Sequence, residues 1–129
     1  MNVIQNATIM STRLGVAHTD HGVLSFYINL DYDSAAQGFG GWCLDDYNPA
    51  HKADPQTPTR IATAAGSSLL LGVDSLFGVD WEKLVGLPCR AYGHHSKVIA
   101  LGHYLKDRWL WLDPETLLFR VTSLAEILH

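Results

Sequence analysis

The fold is decided by the alternating stretch Leu24-Ser25-Phe26-Tyr27-Ile28-Asn29-Leu30-Asp31. Every second residue from Leu24 is apolar, and Ser25, Asn29 and Asp31 stand between them. Because successive side chains of a strand point to opposite faces, this period of two indicates a strand with one face on a core. Such a strand is typical of an antiparallel sheet whose other face meets solvent.

A glycine-rich segment follows directly, with the sequence Gln37-Gly38-Phe39-Gly40-Gly41-Trp42. Glycine weakens a strand, so three glycines between two large aromatic residues indicate that some group approaches this backbone closely. That group is either a flat or bulky ligand or only the neighbouring strand at a bulge or sharp bend. The segment therefore leaves a binding interpretation and a structural one open.

The remaining patterns predict the element order β-β-β-α-β-β-β, which is typical of an α+β fold with a mostly antiparallel sheet. The main helix is expected over residues 60–76 and ends at Gly78; Asp80 begins a short second helical turn. Residues 97–105 read as one strand and residues 46–58 as an exposed loop. Residues 114–129 read as an extended tail whose structure the pattern leaves open: residues 117–121 alternate like a strand, and Ser123 is a candidate cap for a last helical turn over residues 124–128. All 129 residues are predicted to form a single domain.

Composition restricts the partners of the chain. A net charge of −4 argues against binding to long nucleic acid, which needs a broad cationic field. Charged residues make up only 17%, and four tryptophans are present, which favours a homo-oligomer. The chain has neither a signal-peptide pattern nor an apolar run of the ~18 residues that span a membrane, and Cys43 and Cys89 read as buried free thiols; an intracellular protein is expected.

No pattern for a metal site, a cofactor or nucleophilic catalysis emerges. The seven histidines lack the spacing of known metal sites, and neither cysteine has an adjacent base. The glycines do not precede a helix, as a dinucleotide fingerprint requires. A noncatalytic protein without metal or cofactor is therefore expected, and an enzyme with His103 as general base stays the alternative.

Binding of a phosphorylated ligand has better raw material. Arg60 is placed at the start of the main helix, where free N–H groups favour an anion. Cations and aromatic residues alternate in the second half of the chain, as stacking on a base and binding of phosphates require. These residues are Trp81, Tyr92, Lys97, Tyr104, Lys106, Arg108 and Trp109. An ordinary aromatic core with solvated lysines is the competing interpretation, and Trp109 with Trp111 reads as core or subunit interface.

Five segments together carry a resemblance to a family of small phage proteins. They are Asn6-Ala7-Thr8-Ile9, Asp20-His21-Gly22, the glycine-rich segment through Leu44-Asp45, Gly102-His103-Tyr104-x-Lys106-Asp107, and Trp109. The chain resembles the first anti-Thoeris family, phage sponges that sequester cyclic ADP-ribose isomers made by bacterial TIR enzymes. The similarity extends to about Asp113, and Ala65 stands where a tyrosine would be expected.

The resemblance implies a homo-oligomer, with a hexamer as one candidate size, and noncatalytic capture of glycocyclic ADP-ribose in the host cytoplasm. Some family members also hold cyclic oligonucleotides at a separate site. The ligand-binding residues that it implies are Phe39, Gly40, Gly41, Arg60, Trp81, His103, Lys106 and Arg108. Two alternatives stay open: an inhibitor that covers a host protein, and a small enzyme that cleaves a nucleotide signal.

Overall fold

The long first strand is shared between two neighbours. A computed structural model gives the structure of residues 1–17, 23–32, 35–47 and 60–128, and in it β1 (Val3–Ala17) pairs antiparallel with two strands. Residues 8–17 pair with β2 (Val23–Asp31), and residues 3–8 pair with β6 (Pro88–His94). The register against β2 shifts between Ile9 and Ser11, so the strand changes partner beside an irregularity.

The other elements complete an α+β fold. The strands are β3 (Ala36–Gly40), β4 (Asp45–Tyr47), β5 (Arg60–Ala62), β7 (Lys97–Gly102), β8 (Trp109–Leu112) and β9 (Phe119–Thr122). The helices are α1 (Ala64–Phe77) and α2 (Leu124–Leu128), with a 3₁₀ turn at Trp81–Lys83. Seven strands form one antiparallel sheet in the order β3-β2-β1-β6-β7-β8-β9, and β4 and β5 form a separate pair. The predicted fold class is confirmed.

The main core lies between the inner face of the sheet and α1. Phe26, Ile28 and Leu30 of β2 have no exposed surface, as the alternation predicts. The sheet curls so that β3 lies against β7, and Gln37 of β3 donates to the carbonyl oxygens of His94 and His95 at 3.1 and 2.7 Å. The helix contributes its buried stripe to the same core; the stripe consists of Leu69, Gly72, Val73 and Leu76.

A second, smaller core lies on the other face of the sheet. Trp109 and Trp111 are buried there with Tyr92 and Ala100, and Leu124 and Ile127 of α2 pack against them. A Cβ on Gly102 would lie 2.5 Å from the Trp109 ring, so this glycine makes room for the indole. Of the two interpretations of the tryptophan pair, core is therefore the one that the protomer shows.

Three predicted boundaries are wrong. The helix begins at Ala64, because Thr63 has an extended backbone conformation. The N–H and the hydroxyl of Thr63 both donate to the Leu44 carbonyl oxygen. Arg60 therefore lies in β5, which pairs with residues 45–47 at the start of the predicted loop. Residues 48–58 of that loop lie outside the described residues. The strand expected over residues 97–105 ends at Gly102.

The two cysteines differ. Cys89 is fully buried, and burial raises the pKa of its thiol to about 12. Cys43 is exposed, and its Sγ donates to the Asp45 carbonyl oxygen at 3.0 Å, so the prediction of two buried thiols is wrong for Cys43. The reason is that β3 ends at Gly40, which takes Cys43 out of the sheet.

The structure identifies the group that approaches the backbone of the glycine-rich segment at Gly40. A Cβ added there would lie 2.2 Å from the Phe26 carbonyl oxygen, and φ is +149°. Gly41 donates its N–H to that oxygen at 2.8 Å. The group that approaches Gly40 is therefore β2, as the structural interpretation of the segment expected.

Gly40→Ala should destabilise the fold by at least about 2 kcal/mol, because the new Cβ meets backbone and the backbone angle disfavours an L side chain. Gly15→Ala is the matched control, since Gly15 also lies in a strand but has no neighbouring atom within 4 Å of the added Cβ. Its effect should stay within about 0.5 kcal/mol. Urea unfolding measures both, and equal effects would contradict this account of Gly40.

Candidate functional site

The turn between β7 and β8, residues 103–108, carries three of the eight predicted site residues and is named the basic turn. It contains His103, Lys106 and Arg108. Two main-chain hydrogen bonds shape it, from the His103 N–H to the Arg108 oxygen at 2.9 Å and from the Arg108 N–H to the Lys106 oxygen at 2.8 Å. The early end of β7 at Gly102 is what places His103 in this turn rather than on a strand face.

Arg90 of β6 binds the basic turn through two of its carbonyl oxygens. Its Nε donates to the His103 carbonyl oxygen at 2.8 Å, and its Nη2 donates to the Lys106 carbonyl oxygen at 2.7 Å. The guanidinium also lies over the Trp109 ring, 4.8 Å from the centroid. Sequence reasoning missed Arg90 as a site residue, although a cation within an otherwise apolar strand was a usable signal.

His103 is a structural part of the turn. Its Nδ1 accepts hydrogen bonds from the backbone N–H groups of Leu105 and Lys106, both at 3.0 Å. Partial burial lowers the pKa of His103, and the nearby charges of Lys106, Arg90 and Arg108 lower it further. Both effects favour the neutral imidazole, whose lone pair these two bonds require.

Arg108 of the basic turn has neutral hydrogen-bond partners. Arg108 donates through Nη2 to the Ser75 hydroxyl at 2.6 Å and to the Ser75 carbonyl oxygen at 3.2 Å. The turn's carboxylate, Asp107, accepts instead from Trp109 Nε1 and from the Leu124 N–H, both at 3.0 Å. Within the described part of the chain no carboxylate lies within ion-pair distance of Arg90, Lys106 or Arg108. Although Asp107 lies in the same turn, these cations therefore form no ion pair among the described residues.

A small cavity adjoins the basic turn. Its volume is about 250 Å³, and it is lined by Phe77, Leu87, Pro88, His103, Tyr104 and Leu105. The side chains of Tyr104 and Leu105 are exposed. Cations that form no ion pair, next to an apolar cavity, can hold an anion that carries a ring or another apolar group.

The other predicted ligand residues lie elsewhere. Phe39 has no exposed surface; its ring lies 5.2 Å from the Trp42 ring and 5.9 Å from the Phe26 ring between centroids, so in this structure it does not reach a ligand. Trp81 is half-buried with its ring 6.1 Å from that of Phe26. Gly40 and Gly41 adjoin β2. No hydrogen bond, ion pair or ring contact among the described residues joins this group to the basic turn.

Arg60 and part of the histidine set are only partly described. The backbone of Arg60 pairs with Tyr47, four residues before the first residue of α1, so the expected placement at the helix start is wrong. His18 and His21 lie outside the described residues. Among the residues that are described, no group of three histidine, cysteine, aspartate or glutamate side chains could hold a metal ion.

The chain matches no protein-family model, no curated protein and no solved structure. Neither described helix could cross a bilayer, since α1 has 14 residues and α2 has five.

The stability of the fold should depend on pH through His103. The pKa of His103 in the folded state lies below the ordinary value of 6.5. The contribution of neutral His103 to the free energy of unfolding is therefore complete above pH 6.5, and it is lost as the pH falls from 6.5 through the lowered pKa. His103→Gln cannot titrate there. The wild type should therefore lose its advantage in unfolding free energy over this variant as the pH is lowered from about 7.5 to about 5. A difference that stays constant across this range would contradict the role given to His103.

Arg90→Lys should cost about 1 to 2 kcal/mol of stability, because an ammonium group lacks the planar fork that reaches both carbonyl oxygens while covering Trp109. Arg13→Lys is the matched control, since Arg13 is an exposed arginine of β1. Urea unfolding compares the two variants, and equal losses would argue against this role of Arg90.

Proposed function

We propose that this protein is a noncatalytic sponge that binds and sequesters a cyclic ADP-ribose isomer, with glycocyclic ADP-ribose as the ligand that the resemblance implies. The observation that carries the proposal is the basic turn, which contains Lys106 and Arg108 and is bound by Arg90. None of these three cations forms an ion pair with a carboxylate among the described residues. The proposed action takes place in the cytoplasm of the host cell.

The chemistry of such a ligand fits the basic turn. A cyclic ADP-ribose isomer carries a pyrophosphate, and Lys106 and Arg108 are exposed cations that can each contact a phosphate oxygen. The exposed Tyr104 ring and the neighbouring cavity offer apolar surface to the base or ribose. Arg90 supports binding indirectly, because it fixes the two carbonyl groups between which the turn bends.

Capture without turnover is proposed because of how His103 is used. The lone pair on Nδ1 is engaged by two backbone N–H groups, so this nitrogen builds the loop that presents the cations. A general base must be free to accept a proton from substrate or water. Protonation of Nδ1 would instead break the bonds that shape the binding loop.

A homo-oligomer is part of the proposal, with a hexamer as one candidate size. Support comes from apolar side chains that the protomer leaves exposed on β1: Met10 and Val16 are 50% exposed and Leu14 is 39% exposed. Trp109 and Trp111 are buried in the protomer, and the half-buried Trp42 and Trp81 pack against its main core, so the tryptophans no longer favour an oligomer. Light scattering at micromolar concentration should show an assembly, and a monomer would contradict this part of the proposal.

The central test is ligand capture from a nucleotide extract made by a TIR enzyme. The protein is mixed with the extract, repurified and denatured, and the released molecules are identified by mass spectrometry. Lys106→Gln and Arg108→Gln should each lower the amount captured about tenfold, since each removes a charge-assisted hydrogen bond to phosphate. Lys83→Gln is the control, because Lys83 is an exposed cation on the 3₁₀ turn.

The outcomes separate the candidate functions. Intact cyclic ADP-ribose isomer supports the sponge, whereas a hydrolysed product points to the enzyme. An empty protein that co-purifies with one host protein points to the inhibitor. Capture that is unchanged in both variants would show that the basic turn is not the binding site.

A further inference from the structure

A larger cavity lies at the opposite end of β7 from the basic turn. Its volume is about 630 Å³, and it is bounded by the start of β7, the end of β8, the segment 113–117 and α2. This volume is in the range of small-molecule sites in proteins. The proposed function makes no use of this cavity.

Two indoles form the apolar walls of this cavity. Trp42 is half-buried, and its ring is held from behind by Phe39 and Phe119, with centroids 5.2 and 5.7 Å away. Trp111 is fixed by a hydrogen bond from its Nε1 to the Thr122 hydroxyl at 2.9 Å. The Trp111 ring is buried, and the Arg120 guanidinium lies over it, 5.7 Å from the centroid. The Trp42 ring is only half-buried and is held by its neighbours, so it offers a rigid surface on which another ring can stack at little entropic cost.

The charged groups of the cavity disfavour an anion. Arg120 is held by Asp113 at 3.3 Å and by Glu126 at 3.2 Å, so its charge is neutralised. The Glu115 N–H, at 2.9 Å, and Arg120 keep the pKa of Asp113 low and the group ionised. The cavity lining thus has three carboxylates, Asp113, Glu115 and Glu126, against two cations, Lys97 and Arg120. This balance is the reverse of that at the basic turn.

The rim of the cavity holds an exposed leucine in an uncommon conformation. Leu117 has φ of +58° and is 65% exposed. Its N–H donates to the Asp113 carbonyl oxygen at 2.8 Å, which closes the turn. Leu117 and Trp42 also line a neighbouring cavity of about 410 Å³. The left-handed region costs an L residue about 1 kcal/mol, so an apolar side chain is kept at the rim against a local preference.

We propose that this cavity binds an uncharged, planar heteroaromatic ring of the size of a nucleobase or nucleoside, stacked on Trp42. The indole supplies the stacking surface. Lys97 is an exposed side chain whose Nζ lies over the Trp42 ring, 5.9 Å from the centroid; the ligand displaces it from this position, and it then donates to the edge of the bound ring. Glu115 supplies an acceptor. A phosphate on the ligand weakens binding, because the carboxylates outnumber the cations. The site is independent of the sponge function proposed for the basic turn.

The first test uses the wild-type protein labelled with ¹⁵N at tryptophan. Adenosine is added, and the four indole N–H signals, assigned by single tryptophan-to-phenylalanine variants, are followed by NMR. The signals of Trp42 and Trp111 should shift with saturation, whereas those of Trp81 and Trp109 should not. Absence of any shift up to millimolar adenosine, or shifts confined to Trp81 and Trp109, would overturn the proposal.

The second test separates this site from the basic turn. AMP should bind to the Trp42 cavity at least about fivefold more weakly than adenosine because of carboxylate repulsion. Trp42→Leu should weaken adenosine binding about tenfold, whereas Trp81→Leu, which also removes an indole packed on Phe26, should leave it unchanged. Thermal melting of both variants confirms that each is folded under the conditions used.

Two further variants test the proposal with the Trp42 indole left in place. Lys97→Gln and Lys106→Gln each remove one exposed cation, so neither perturbs a core. Lys97→Gln should weaken adenosine binding and leave capture of the cyclic nucleotide unchanged. Lys106→Gln should lower capture of the cyclic nucleotide and leave adenosine binding unchanged. Loss of both activities in both variants would show a single shared site and overturn the proposal. If the wild-type protein binds adenosine but captures no cyclic nucleotide, the sponge function fails and the Trp42 site stands.

Discussion

The divided pairing of β1 is the constraint on which the rest of the molecule depends. One end of this strand hydrogen-bonds to β6 and the other to β2, with the change of partner at Thr8. Pro88 meets Thr8 at that point, and a proline has no N–H with which to extend the ladder. The Ile9 N–H instead donates to the Leu87 oxygen at 2.9 Å, and its oxygen accepts from the Gly86 N–H at 2.8 Å. The two halves of the sheet are thereby joined through a single strand.

The curl of the sheet follows from this shared strand and creates the core. It brings β3 against β7, and it gathers Phe26, Phe39 and Phe119 with the half-buried Trp42 and Trp81 into one aromatic cluster. Edge-to-face contacts between such rings add to the free energy of burying their area. The same closure leaves one face of Trp42 at a cavity, which is how a core aromatic residue becomes part of a candidate site.

The two candidate sites lie at opposite ends of β7 and differ in electrostatics. At the basic turn Arg90 and Arg108 are bound to carbonyl oxygens, a hydroxyl and an aromatic ring, and to no carboxylate among the described residues. At the Trp42 cavity Arg120 is bound by two carboxylates. Charge type alone therefore does not identify an anion site; the partners of each cation decide it.

Local patterns were sufficient for much of the fold. The alternation of residues 24–31 and the Trp109-x-Trp111 spacing depend on the two-residue period of a strand, which is a local property of the backbone. Boundaries were less predictable. Thr63 starts the helix late because it is bound to Leu44, a residue distant in sequence, and the hydroxyl–carbonyl distance of 2.8 Å could not be inferred from local propensity.

The candidate site shows the same division. The sequence by itself determined that His103, Lys106 and Arg108 are near one another, since they lie within six residues of chain. Only the tertiary structure decided that Arg90 binds the turn, that Phe39 is sealed in the core and that Trp42 faces a cavity. The physical reason is that a ligand contact requires exposure and an orientation in space, and both are set by which distant strands pair and how the sheet curls. A repeat of hydrophobicity specifies a face of an element, but not what will cover that face.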